Sequence, residues 1–220
     1  MSSSGKILDA IKEQLVLPLF YHDSPELSLS VIKALYNAGV RVVEYTNRGD
    51  HALENFRLLK STLLVEAPGI FLGAGTVKTA GEARAFMDAG ADFLVSPVVD
   101  PEVGELARHN GLLWVPGCMT PTEIQSAVKA GASLVKMFPG NVLGPGFIAA
   151  IKDLFPGTSF MPTGGVELEE ENMRGWFRAG AVAVGMGSRL ISKEILTNKN
   201  LSQLETDTQI ALRIARSAKA

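Results

Sequence analysis

The chain has 220 residues, 46% hydrophobic and 20% charged, which is enough for one globular domain (1–220) of the size an α/β barrel needs. Its formal net charge of -2 excludes a global field that would draw nucleic acid or an anionic membrane, so any anion site must come from loops and helix N-termini. A single cysteine, Cys118, excludes an internal disulfide and fits a reducing compartment; inert burial is the commoner state of such a thiol, catalysis the rarer one.

The N-terminus, Met1-Ser-Ser-Ser-Gly-Lys, leads into a helical pattern rather than an apolar signal core, and no apolar run reaches a membrane span. A soluble cytoplasmic protein is expected. Ile7, Leu8, Ile11 and Leu15 have helical spacing and predict a first helix over about 4–15. Leu15-Val-Leu-Pro-Leu-Phe20 reads as a short strand. Asp23 or Ser24 caps the next helix, with Pro25 in its first turn and Gly39 at its end. Val40-Arg-Val-Val-Glu-Tyr45 is the second strand, a helix carries Leu53, Phe56, Leu59 and Leu63, and Gly69-Ile-Phe-Leu-Gly73 is the third strand. The alternation continues: helix 79–89 before strand 91–95, helix 101–110 before 112–115, helix 121–130 before 133–137, helix 145–154 before 159–161, and helix 168–179 before 181–184. A final helical region from about 187 falls in two pieces.

Four helix-to-strand junctions share one form, an Ala-Gly pair followed by Val or Ala, with glycines at 39, 90, 131 and 180. Each reads as a glycine C-cap feeding directly into a strand, and each step fits two strand–helix units. Eight strands in strict alternation predict a (β/α)8 TIM barrel with an extra N-terminal helix, an open doubly wound sheet being the alternative.

Function in such a fold gathers where strands end and helices begin. The chain sorts its glycines, prolines and isolated polar groups to that end: Glu44 and Arg48 at strand 2, Gly73-Ala-Gly-Thr-Val77 after strand 3, Ser96-Pro97, Pro116-Gly-Cys-Met-Thr-Pro121, Phe138-Pro-Gly, Pro162-Thr-Gly-Gly-Val166 and Gly185-Met-Gly-Ser188. Lys136 is the one charge in the apolar run Leu134-Val-Lys-Met137. An ammonium group leaves water at a cost of several kcal/mol unless it is paired or loses its proton, and an uncharged amine is a nucleophile toward ketones. On an edge strand Lys136 would simply reach out to water. Glu44 is equally isolated in Val42-Val-Glu44. Facing each other, the two form either an inert ion pair or an amine with a carboxylate acid/base beside it, which is the apparatus of Schiff-base chemistry.

Arg48 has two readings, a structural partner of Glu44 or a two-pronged holder of a substrate carboxylate, and Thr76 lies in a small-residue loop that lets a ligand approach the backbone. Thr163-Gly-Gly165 with Gly187-Ser188 reads as tight turns or as a phosphate cradle of backbone amides and the Ser188 hydroxyl. His22, His51 and His109 are scattered without ligand spacing, so no metal site is expected, and no dinucleotide fingerprint follows strand 1.

Taken together and in order, Val40-Arg-Val-Val-Glu44, Arg48, Gly73-Ala-Gly-Thr-Val77, Ser96-Pro97, Pro116-Gly117, Lys136-Met-Phe-Pro139, Pro162-Thr-Gly-Gly165 and Gly185-Met-Gly-Ser188 resemble the 2-keto-3-deoxy-6-phosphogluconate (KDPG) / 4-hydroxy-2-oxoglutarate aldolase family over nearly the whole chain. The resemblance implies a class I aldolase barrel that assembles as a homotrimer and cleaves KDPG to pyruvate and glyceraldehyde 3-phosphate without metal or other cofactor. By position it implies Lys136 as the Schiff-base lysine and Glu44 as the acid/base. Arg48 and Thr76 then hold the pyruvyl carboxylate, Pro97 and Phe138 line the pocket, and Thr163, Gly164, Gly165, Gly187 and Ser188 form the phosphate side. The chain departs from the pattern at Phe20-Tyr21-His22, where relatives carry a basic residue, at Tyr45-Thr-Asn-Arg-Gly49, and at Gly140-Asn141, where alanine is usual at the first position. Those departures bear on the aldehyde partner. A galactonate-derived epimer and 4-hydroxy-2-oxoglutarate are alternative substrates, and a phosphosugar-binding barrel without turnover is the non-enzymatic alternative.

Overall fold

The computed structural model describes residues 3–219. Helix α1 (Ser3–Gln14) buries Ile7 and Ile11, and Leu15, at a φ of 68°, turns the chain into strand β1 (Val16–Phe20). Helix α2 (Pro25–Asn37) begins where the Ser24 hydroxyl accepts the Leu27 amide, with Pro25 in the first turn, where no N–H is needed. Then come β2 (Val42–Thr46), α3 (Ala52–Glu66), β3 (Phe71–Gly75), α4 (Ala80–Asp88), β4 (Phe93–Val95) and α5 (Pro101–His109). Strands β5 (Leu113–Val115) and β6 (Gly117–Cys118) precede α6 (Pro121–Lys129), which opens on a capping box of Thr120 and Glu123. The chain finishes with β7 (Leu134–Met137), α7 (Gly140–Ile151), a 3-10 turn (Lys152–Leu154), β8 (Ser159–Pro162), α8 (Glu170–Ala179), β9 (Val184–Met186), α9 (Lys193–Asn198) and α10 (Leu201–Lys219). The junction glycines 39, 90, 131 and 180 have φ of 106°, 88°, 97° and 113°, the left-handed turn expected of them.

All strand pairs are parallel. Six strands form one sheet in the order β5-β4-β3-β2-β1-β9, and three form a second in the order β6-β7-β8. Among the described residues the expected eight-strand ring therefore appears as nine strands in two sheets. The extra strand is β6, in residues expected to be loop after the fifth strand (112–115); Pro116, without an N–H, interrupts the ladder between β5 and β6. At the other boundary, Thr163 bridges Gly185 and the Val182 N–H donates to Phe160 O at 2.9 Å.

Two further boundaries moved. The third strand, expected over 69–73, runs Phe71–Gly75 and so takes in Ala74 and Gly75, which read as loop in the sequence. Glycine is used there for room: a Cβ on Gly73 would meet the Phe93 ring at 2.3 Å. Helix α7 starts at Gly140, ahead of the predicted 145, and carries a non-helical break at Gly144, just before Pro145.

Leu17, Val42, Phe93, Val95, Leu113, Val115, Leu134 and Met161, drawn from both sheets, pack with Ile7 and Ile11 of α1 into one cluster, so α1 closes the N-terminal end of the strands. Gln14 fastens it there. Its amide nitrogen donates to Val16 O at 2.6 Å and Val42 O at 2.8 Å, and its oxygen accepts from the amides of Arg41 and Val42. A larger cluster joins the outer faces of the strands to the helices. Among the described residues, no helix is long and apolar enough to cross a membrane.

Candidate active site

Glu44 and Lys136 stand on β2 and β7, which belong to different sheets, so their side chains meet only across the interior. Lys136 Nζ lies 3.8 Å from Glu44 Oε1, and the two residues are 3% and 1% exposed. That spacing is an ion pair, too long for a hydrogen bond. Neither Glu44 oxygen has a hydrogen-bond partner in the protein. A buried carboxylate left so under-satisfied is costly, and a static structural role gives no reason for it. The Lys136 amine also faces the Phe138 ring, 5.1 Å from its centroid.

The strand backbones explain why this pair can form. The Lys136 N–H donates to Pro116 O at 2.8 Å, keeping β7 in register just where β5 gives way to β6. Behind Glu44, Gly75 supplies space, since a Cβ there would sit 2.0 Å from Glu44 Oε1. The sequence places this glycine in a small-residue loop suited to a ligand's approach and carries no sign that its room is taken up by Glu44.

Arg48 and Thr76 follow the adjacent strands β2 and β3, and the Asn47 N–H ties their loops together by donating to Gly75 O at 2.7 Å. Arg48 is exposed, and among the described residues its guanidinium makes no ion pair; Glu44 pairs with Lys136 instead. Thr76 has φ 60°, a region that a β-branched residue rarely enters, so the fold holds it there under local strain. Pro97 lies in the loop after β4, packed so closely that a Cβ on Gly117 would come within 2.4 Å of Pro97 O.

The two glycine loops also meet. Gly164 and Gly165 have φ of 91° and 74°, and Gly187 and the exposed Ser188 follow β9, whose Gly185 bridges to Thr163. Gly140 nests against this turn: its N–H donates to Thr163 O at 2.8 Å, and a Cβ would lie 2.4 Å from Gly164 O. That contact leaves no room for a side chain at position 140. Thr163 itself differs from the loop it starts. Its hydroxyl is turned inward over Gly185, buried, with no partner.

Cys118 is inert by environment: burial, with a smaller push from Glu123, raises its thiol to about 12. Burial and the neighbouring Asp23 carboxylate raise the Tyr21 phenol well above its ordinary value.

An interior amine beside an unbonded carboxylate, on parallel strands that open on glycine turns, is an arrangement able to add an amine to a carbonyl and move protons beside it. The chain belongs to the KDPG and KHG aldolase family, whose model matches residues 7–206. It is 36% identical over 167 residues to a probable 2-dehydro-3-deoxy-6-phosphogalactonate aldolase of Rhizobium meliloti, covering 76% of each chain. It is 30% identical over 209 residues to a 2-dehydro-3-deoxy-phosphogluconate aldolase of Treponema pallidum, covering 94% of this chain and 97% of that one. Among solved structures it resembles the KDPG aldolase of Legionella pneumophila with pyruvate captured at low pH as a covalent carbinolamine. There the TM-score is 0.82 at 27% identity, over 91% of this chain and 95% of that one.

Proposed function

We propose that this chain is a class I aldolase that reversibly cleaves 2-keto-3-deoxy-6-phosphogluconate to pyruvate and glyceraldehyde 3-phosphate. The observation that carries the reading is the Lys136 amine, 3% exposed and 3.8 Å from a Glu44 carboxylate that accepts no hydrogen bond. The Lys136 ammonium passes its proton to Glu44 and, as the free amine, adds to the C2 ketone to give a carbinolamine; Glu44 returns that proton to the carbinolamine hydroxyl, which leaves as water to form an iminium. Glu44 takes the C4 hydroxyl proton, the C3–C4 bond breaks, and its electron pair flows into the iminium as an enamine. The aldehyde departs, C3 takes up a proton, and water releases pyruvate and restores the amine. The iminium is the electron sink, so this route calls on no metal or other cofactor. The covalent pyruvate carbinolamine of the Legionella relative corresponds to the last covalent intermediate of this route, formed when water adds to the pyruvyl iminium.

Arg48 and the strained Thr76 hold the substrate carboxylate, Pro97 and Phe138 line the pocket, and the loops of Thr163, Gly164, Gly165, Gly187 and Ser188 take the phosphate. We place the site at the mouth of a closed (β/α)8 barrel; the Thr163–Gly185 bridge and the chain continuity of β5 into β6 through Pro116 support that closure. Exposed Val98 and Met119, in the segments after β4 and β6, and exposed Val142, in the first turn of α7, suit a homotrimer. A reducing cytoplasm suits the unpaired Cys118.

The test is intact mass after adding pyruvate and borohydride. A stable adduct on wild type and none on Lys136→Ala is expected; an unmodified wild type would overturn the mechanism. The name of the Rhizobium relative favours a second substrate reading, the galactonate epimer. Comparing kcat/KM for the two epimers and for 4-hydroxy-2-oxoglutarate decides it, and a preference for either of the latter two would replace KDPG.

A further inference from the structure

Arg48 sits in a loop that is tied on both sides. On one side is the Asn47–Gly75 hydrogen bond. On the other, Gly49 lies beneath the Tyr21 ring, so close that a Cβ would meet the phenol oxygen at 2.2 Å and Cε1 and Cζ at 2.5 Å. Gly49 does not have a positive φ, so its place there is explained by room and not by backbone freedom.

The ring is itself held. Its hydroxyl donates to Asp23 Oδ1 at 2.5 Å, and the ring packs at a tilt of 56° against buried Tyr45, with centroids 5.6 Å apart. Tyr45 donates to His22 O at 2.8 Å, and the buried Asn55 amide donates to Asp23 O at 2.8 Å. The β1–α2 loop is thus pinned from below, and Tyr21 carries that rigidity across to the β2–α3 loop. A guanidinium on a long stem makes a good two-pronged contact only when its backbone is fixed.

We propose that Tyr21 is a positioning residue for substrate carboxylate binding: its ring, wedged over Gly49, fixes the loop that aims Arg48. The proposal rests on the assignment of Arg48 to the carboxylate. It gives the departure from a basic residue at this place a function, with an aromatic wedge paired to a glycine.

The experiment measures KM for pyruvate in the condensation direction, kcat, and the pyruvate dependence of borohydride trapping, in Tyr21→Ala, Tyr21→Phe, Arg48→Ala and the Tyr21→Ala/Arg48→Ala double variant. Tyr21→Ala is expected to raise KM about tenfold and to change kcat by less than about threefold, because a misaimed clamp weakens binding before it touches the chemistry. Tyr21→Phe keeps the wedge and should restore KM. In the Arg48→Ala background, Tyr21→Ala should add nothing, since the two act through one contact. An equal KM effect with and without Arg48, or no effect at all, overturns the proposal. So does a Tyr21→Phe as impaired as Tyr21→Ala. If Arg48→Ala alone leaves KM unchanged, the carboxylate assignment has failed, and the Tyr21 role falls with it. Should Tyr21→Ala fail to fold, Gly49→Ala displaces the ring from the other side and is held to the same outcomes.

Discussion

Gly75→Ala isolates what the position of Glu44 contributes. The added methyl carbon would lie 2.0 Å from Glu44 Oε1 and 2.6 Å from both Cδ and Cγ, against an ordinary contact limit of 3.4 Å. The carboxylate must therefore retreat by about 1.4 Å, and with the residue 1% exposed it has no solvent to retreat into. Misplacing a reacting group by about 1 Å costs on the order of 100-fold in rate, so kcat should fall about 100-fold. Overpacking should cost about 1–3 kcal/mol of stability as well. Lys136 is untouched, and borohydride should still trap pyruvate on the variant. The assay couples pyruvate release to a reporter enzyme at saturating substrate, with thermal unfolding measured in parallel. A folded Gly75→Ala that keeps kcat within about threefold of wild type would refute the placement of Glu44 as the proton carrier.

Two other changes separate scaffold from chemistry. Gln14→Leu removes four hydrogen bonds between α1 and the first two strands and should cost about 3 kcal/mol, lowering Tm by roughly 6–12 °C with kcat nearly unchanged; a calorimetric Tm within about 2 °C of wild type would contradict the fastening role. Cys118 should resist iodoacetamide at pH 8 in the folded protein and react on unfolding, as read by intact mass. Its thiol is raised to about 12 from an ordinary 9.0, so the unfolded chain ionises first, and stability should fall as pH rises above about 9.

Much of the fold was legible because it is written locally. The four Ala-Gly junctions mark helix ends through a single backbone requirement, and the structure gives each the left-handed φ that requirement demands. Glu44 and Lys136 stood out as lone charges in apolar runs, and one distance joins them. What escaped notice depends on neighbours distant in sequence. Gly75 looks like loop, and Gly73 like the end of its strand, because glycine is a poor strand former. Their use is visible only beside the Phe93 ring and the Glu44 carboxylate, partners supplied by other strands. The Thr163 hydroxyl shares a Thr-Gly-Gly turn with two loop glycines, yet the parallel bridge to Gly185 turns it inward. Pro116 was read as part of a loop, and its effect on the ladder required knowing that β6 resumes pairing, with β7, one residue later. Tyr21 and Gly49 carry no mark of each other in sequence.

The Glu44 carboxylate, sealed inside with neither oxygen hydrogen-bonded, has an evolutionary consequence. Two apolar side chains in place of Glu44 and its ion-pair partner Lys136 would remove both the unbonded oxygens and the buried charges, so the free protein is less stable than its own fold permits. A directed-evolution campaign scored only on heat resistance should therefore discard the two together and keep neither alone. The same campaign run with a substrate acid present should retain both, because a ligand held by the pair stabilises the folded state.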